Sequence, residues 1–256
     1  MLAERPPSVD TETTWDQKEM PFTEHLRELR NRLVISVGTV GALALLLFWP
    51  APLVIAWLTH EYFPTITLHA FGPAEVIVTE FRFSIYGAIV VGLPVLLYQT
   101  WMFIVPAFHP KTRSVVYAYV APSLLLAAAG IAFCHYIVIH RVVSALLSIT
   151  NSIATPTFGI EPTLNLILLL FLAFALIFQT PMIMIALARI GVINSKMLRK
   201  YRRYAIMGIM LAGGVAAPDA SPVTMLLLAA PMYVLFEASI WIIVVLERSW
   251  QRSAAR

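Results

Sequence analysis

The chain has 256 residues, of which 59% are apolar and only 12% are charged, about half the charged fraction of a soluble domain. That balance excludes an ordinary water-soluble fold and makes lipid the main solvent of the chain. A formal net charge of +4 does not imply nucleic acid as a partner, because the Lys and Arg residues sit in short segments between apolar runs and form no stripe interleaved with aromatics.

In chain order, residues 1–20 are polar, with Pro6 and Pro7 and acids at Glu4, Asp10, Glu12, Asp16 and Glu19. They read as a flexible tail with no cleavable signal peptide. The stretch "FTEHLRELRNRL" at 22–33 spaces Phe22, Leu26, Leu29 and Leu33 as the apolar stripe of an amphipathic helix. Apolar runs follow at about 33–58, 83–105, 114–139, 163–188, 204–217 and 223–246. About 20 apolar residues cross the ~30 Å hydrocarbon layer, so the chain is predicted to be an all-α integral membrane protein with six transmembrane helices in a domain of residues 21–247. The fifth run, about 14 residues before Pro218, is short for a span and calls for a thinned bilayer or protection by its neighbours. Residues 248–256 form a short basic tail.

The positive-inside rule orients the spans. Placing 1–32, 106–113, 189–203 and 247–256 in the cytoplasm leaves only Arg82 and Arg141 on the other side. Both termini are therefore expected in the cytoplasm, with outer loops at about 59–82, 140–162 and 218–222. "VVSALLSI" at 142–149 has helical apolar spacing and could lie along the outer interface. Pro50, Pro52, Pro94, Pro106, Pro122, Pro181 and Pro231 stand inside or beside the runs and predict kinked helices that enclose a concave surface. No convincing internal repeat marks an inverted-repeat transporter.

Motifs for catalysis are missing: there is no Walker loop, HExxH, CxxC or GxSxG, so the chain reads as no enzyme and needs no cofactor. Cys134 is a single thiol inside an apolar run and reads as a small buried hydrophobe. His135 and His140 have no nearby acid or third ligand in sequence, which favours interfacial histidines over a metal pair.

Polar groups in lipid carry more information, since each needs a partner or a cavity. Gln99 ends the second run, as an interfacial side chain or a functional one. Gln179 precedes Pro181 by two residues; it either satisfies a carbonyl freed by the proline or touches a partner helix. Glu237, in "PMYVLFEASIW", is neutral, bonded within the bundle or part of a proton relay. Glu28 stands i, i+4 from Arg32, and Glu24 can reach Arg27, so spacing alone makes this a salt-bridged helix face.

Taken together, "HLRELRNRL" at 25–33, "APL" at 51–53, "LPVLLYQTWMFIVPAF" at 93–108, "FQTP" at 178–181, "APD" at 217–219 and "PMYVLFE" at 231–237 resemble the TatC family of the twin-arginine (Tat) protein translocase. The resemblance covers roughly residues 20–247. It implies a glove-shaped bundle in the cytoplasmic (inner) membrane that binds twin-arginine signal peptides of folded proteins. It further implies assembly with TatA and, where present, TatB, contact with other TatC copies, and export driven by the proton-motive force. By motif, Glu28 matches the signal-binding glutamate and Arg30 the arginine beside it; Pro52 matches a functional proline of the first outer loop. Pro94, Gln99, Phe103 and Pro106 match the second-span and first-loop pattern.

Three positions depart from the family. Thr112, beside Arg113, stands where a second glutamate is frequent, so Glu24, loop carbonyls or Thr112 would have to accept the second arginine of a signal. Gln179 replaces a frequent glutamate and keeps hydrogen bonding without charge; with Glu237 it is the expected contact with TatA or TatB. Asp219, in "APDASPVTM", is displaced relative to Pro231. The alternative reading is a secondary transporter or channel for a small solute, with Glu237 and Gln179 lining its path.

Overall fold

The computed structural model describes residues 22–64, 66–104, 113–151, 157–189, 191–216 and 222–254. The expected tail at 1–20 lies outside them, as do Pro106, Thr112 and Asp219. Described residues are helical apart from turns and one isolated bridge between His69 and Gly159. Helix is the local solution for apolar sequence in lipid, because it satisfies backbone groups within one segment. Among the described residues five segments are long and apolar enough to cross a membrane: Leu26–Phe48, Glu75–Ile104, Tyr119–Ser148, Ile160–Arg189 and Thr224–Arg248.

The first apolar run is two helices, not one. Helix α1 spans Phe22–Phe48 and α2 spans Ala51–Tyr62. Pro50, which lacks an N–H and whose ring crowds the preceding turn, stands at the break, whereas three later helices run on through Pro94, Pro122 and Pro231. Pro52, in contrast, sits in the first turn of α2, where a missing N–H costs nothing. Helix α3, Glu75–Ile104, begins eight residues before the apolar run at 83, so part of the expected outer loop is helical. Its polar residues are absorbed locally: Thr79 Oγ1 donates to Glu75 O at 2.7 Å and Ser84 Oγ to Glu80 O at 2.7 Å. A hydroxyl returned one turn back tolerates burial.

Helix α4, Arg113–Phe133, continues through a π-helical turn, Cys134–Ile139, into α5, His140–Asn151. The segment expected to lie along the interface is thus the extension of the third span, and Val142 and Val143 are buried in the core. Helices α6, Ile160–Ile177, and α7, Thr180–Arg189, divide the fourth run. Pro181 leaves Ile177 O without its helical donor, and Thr180 Oγ1 supplies one at 2.6 Å. Gln179 N turns instead to Leu176 O at 2.9 Å. After α7, Gly191 takes φ 77°, a left-handed position that closes the helix end without a Cβ clash.

Asn194 caps the short α8, Ser195–Lys200, by accepting from Met197 N at 2.7 Å. Helix α9, Arg202–Ala216, has 15 residues and rises only about 22 Å, which bears out a short fifth run. Helix α10, Pro222–Ala254, carries helical backbone into the segment expected as a basic tail.

Among the described residues three apolar clusters hold the helices together. One joins α2, α3, the π turn, α5 and α6 through Ile55, Phe83, Ile139, Val142, Leu164 and Phe174; a second joins α3, α7 and α10 through Trp101, Ile185, Phe236 and Ile243; a small third one joins α3, α4 and α6 through Leu93, Ala127 and Ala175. Glycine sets the closest crossing: a Cβ at Gly130 of α4 would lie 2.7 Å from Phe174 O on α6. Such small-residue contacts let helices approach where lipid supplies no hydrophobic drive. At one end of the bundle His69 N donates to Phe158 O and Ile160 N to His69 O, both at 2.9 Å, tying the two connections there. The Arg82–Glu161 ion pair joins α3 to α6 nearby.

Candidate functional site

Helix α1 is built inside out relative to a soluble amphipathic helix. The leucines of its stripe are outward, with Leu26, Leu29 and Leu33 exposed, as suits a surface solvated by lipid. Its polar edge turns instead toward α3. The Glu28 side chain is 25% exposed and that of Arg32 17%, while Arg27 and Arg30 are exposed.

The i, i+4 pair read from spacing is present, and it is part of something larger. Glu28 Oε1 accepts from Arg32 Nε at 3.0 Å and from Arg32 Nη2. Arg32 Nη1 donates to Gln99 Oε1 on α3 at 3.2 Å. One guanidinium therefore joins the start of α1 to the far end of α3, using its planar fork toward two different acceptors. Gln99 belongs to this cluster, which the sequence placed only by motif. Phe103 lies one turn beyond Gln99 on α3 and is half-buried, and Pro94 is exposed within the same helix. The backbone of Glu24 is the first turn of α1; its side chain is outside the described residues.

The opposite face of α3 carries an unforeseen polar chain. Trp101 is buried, stacks on Tyr119 at 4.9 Å, and donates from Nε1 to Ser123 Oγ of α4 at 3.0 Å. Gln179, 4% exposed, donates from Nε2 to Ser123 O at 3.0 Å and reaches Ala175 O at 3.5 Å. Its Oε1 is buried without a partner among the described residues. The carbonyl freed by Pro181, Ile177 O, is taken by Thr180 and not by Gln179, whose amide instead bridges to α4 of the same chain. Nothing in the local sequence links Trp101, Ser123 and Gln179, so only the tertiary crossing brings them together.

Glu237 is bonded within the bundle. Arg202, at the first residue of α9, grips it through Nε and Nη2. Because α9 is short and runs back along α10, its start meets Glu237 part-way along the longer helix. The carboxylate is thus neutralised by a cation 35 positions away, which weakens a proton-relay reading. Glu247 near the end of α10 accepts from Ser195 N at 2.9 Å and from Ser195 Oγ, fixing α8 against α10.

Pro52 is exposed in the first turn of α2 and lines a cavity of about 280 Å³ with Thr59, Thr79 and Glu80. His135 sits in the π turn, where its Nδ1 pairs with Tyr62 Oη, and His140 Nδ1 pairs with His135 O at 2.9 Å. Burial pushes the Tyr62 phenol well above its usual range. Among the described residues no group of three metal-ligating side chains gathers. The arrangement as a whole offers a carboxylate held at a helix start, an amide beside it, and a buried polar brace.

A model of the family described as Sec-independent protein translocase protein (TatC) matches residues 24–231. The Sec-independent protein translocase protein TatC of Aquifex aeolicus (strain VF5) is 32% identical over 228 residues, covering 87% of this chain and 94% of that protein. TatCy of Bacillus subtilis (strain 168) is 30% identical over 244 residues, covering 93% and 94%. A crystal structure of the twin-arginine translocase receptor TatC in DDM superposes with a TM-score of 0.79 at 30% identity, covering 86% of this chain and 99% of that one. A second crystal structure of that receptor gives 0.77.

Proposed function

Since the chain belongs to the TatC family of Sec-independent protein translocase proteins, a membrane-embedded component of protein transport, we propose that it is the receptor for twin-arginine signal peptides, with Glu28 as the primary acceptor. The observation that carries this reading is the Glu28–Arg32–Gln99 cluster. A carboxylate at the start of a span, half-shielded from water, is engaged by a guanidinium through two donors. A ligand arginine would use the same planar fork, which a lysine ammonium cannot copy.

In this reading both termini and the starts of α1 and α9 face the cytoplasm, in the cytoplasmic membrane. The signal's arginines meet Glu28, with Arg30, Glu24 and Thr112 around it, and its apolar part lies along α3 past Gln99, Phe103 and Pro94 in the concave side of the bundle. Gln179 and Glu237 mark where TatA and, if present, TatB associate. Pro52 and Asp219 shape the outer connections, and folded cargo crosses at the expense of the proton-motive force in a complex with further TatC copies. The solute-channel alternative is disfavoured because both of its polar residues are engaged within the chain, Glu237 by Arg202 and Gln179 by Ser123.

The test is photo-crosslinking from position 31, an exposed residue three places after Glu28, which leaves the carboxylate intact. A peptide carrying Arg-Arg is expected to crosslink strongly and its Lys-Lys counterpart weakly. Equal crosslinking of the two would sink the proposal.

A further inference from the structure

Arg32 holds Glu28 in the way an arginine-bearing ligand would. Both of its bonds to Glu28 fall on Oε1, while Nη1 points to a different helix, at Gln99 Oε1 3.2 Å away. We infer that Arg32 is an internal surrogate for the ligand's arginine: it occupies Glu28 in the empty receptor and withdraws onto Gln99 when a guanidinium arrives. The inference rests on the proposed reading of Glu28 as the acceptor, and it adds a residue that sets affinity.

Three observations support the exchange. The first is charge. Arg27 and Arg30 are exposed on the same turns of α1, so a Glu28 already neutralised by Arg32 presents net positive potential to an incoming pair of arginines. Binding is favourable only if the carboxylate is released. The second is strength. The Glu28–Arg32 pair is an i, i+4 contact whose side chains keep 25% and 17% exposure, a class of ion pair that is weak and readily broken. The third is the existence of a second acceptor. A guanidinium carries five donors, and Gln99 already holds one of them, so the released side chain needs no path through solvent to find a partner.

Each ligand must displace a resident guanidinium with a two-donor grip, at a cost that does not depend on the ligand. Arg32 therefore lowers the affinity for every cationic ligand by the same factor, and the choice of arginine over lysine is left to Glu28, which a guanidinium fork fits better than a compact ammonium.

The experiment uses the full-length protein in detergent micelles and two fluorescent signal peptides, one with Arg-Arg and one with Lys-Lys, titrated by anisotropy. Arg32→Gln is expected to tighten Arg-Arg binding about two- to fivefold, the range that an exposed ion pair allows, and to tighten Lys-Lys binding by a similar factor. Gln99→Leu should weaken Arg-Arg binding, because the displaced Arg32 loses its acceptor. In the double variant that loss should vanish, since without Arg32 there is nothing to accommodate. Weaker or unchanged binding by Arg32→Gln overturns the inference, as does a Gln99→Leu penalty that persists in the double variant, which would make Gln99 a direct ligand contact. If Arg32→Gln does not fold, Arg32→Lys keeps the charge and loses the fork; tighter Arg-Arg binding supports the exchange and weaker or unchanged binding overturns it. Glu28→Gln separates the two levels. Undiminished binding by that variant removes the receptor reading itself, whereas lost binding without a gain from Arg32→Gln removes only the role of Arg32.

Discussion

Replacing Gln179 by leucine is expected to stabilise the fold. Gln179 is 4% exposed, and its amide donates one well-formed bond, 3.0 Å to Ser123 O, with a longer approach of 3.5 Å to Ala175 O. Interhelical hydrogen bonds of this kind in membrane proteins contribute on average about 0.6 kcal/mol. Against that stands Oε1, buried without a partner among the described residues, a desolvation cost of about 1–3 kcal/mol. Leucine removes both and fills a similar volume. The balance favours the variant by about 1 kcal/mol, which for a chain of this size raises the melting temperature by roughly 2–4 °C. The assay is thermal denaturation of the purified protein in detergent, read by tryptophan fluorescence. A melting temperature lowered by about 2 °C or more would refute the reasoning, because it would mean that Gln179 is a net stabiliser whose carbonyl is satisfied. Copurification with TatA or TatB, measured on the same variant, is expected to fall, which separates a contact role from a folding role.

Gly130→Ala should be destabilising by about 1–3 kcal/mol, since the new methyl would sit 2.7 Å from Phe174 O and 2.9 Å from Phe178 Cγ; an unchanged melting temperature would show that α4 and α6 can separate freely. Arg202→Ala leaves Glu237 without its cation, but with the Arg202 side chain 49% exposed the pair belongs to the weak, exposed class, so the melting temperature should fall only slightly and adding Glu237→Gln should change little more. A large loss in Arg202→Ala that Glu237→Gln restores would show that the pair behaves as a buried one.

What the sequence disclosed and what it hid follow from the range of each interaction. Five long apolar segments were legible because lipid imposes a length rule that needs no tertiary knowledge, and the short fifth run was visible for the same reason. The Glu28–Arg32 bond was legible from four-residue spacing. Its extension to Gln99 was not, because those residues are 67 positions apart and meet only once α1 and α3 pack. The same holds for Arg202 and Glu237. Pro50 was legible as a kink, but hydropathy hid that the kink is a full break between α1 and α2, since Trp49 and Pro50 keep the run apolar. Conversely, the start of α3 was missed because Glu75, Glu80 and Arg82 read as loop, although Thr79 and Ser84 return their hydroxyls to the backbone. Gln179 was legible as a polar residue needing a partner; that the partner is Ser123 depended on the close crossing at Gly130.

The central claim is that Glu28 recognises arginine by geometry as well as charge, and a double-mutant cycle measures this most directly. Binding of Arg-Arg and Lys-Lys signal peptides is titrated against the unaltered protein and against Glu28→Gln. The account predicts strong coupling: the preference for Arg-Arg, at least about tenfold for a charge-assisted two-bond pair, collapses to near unity in the variant. A preference that survives intact in Glu28→Gln would place the recognition of arginine elsewhere and contradict it.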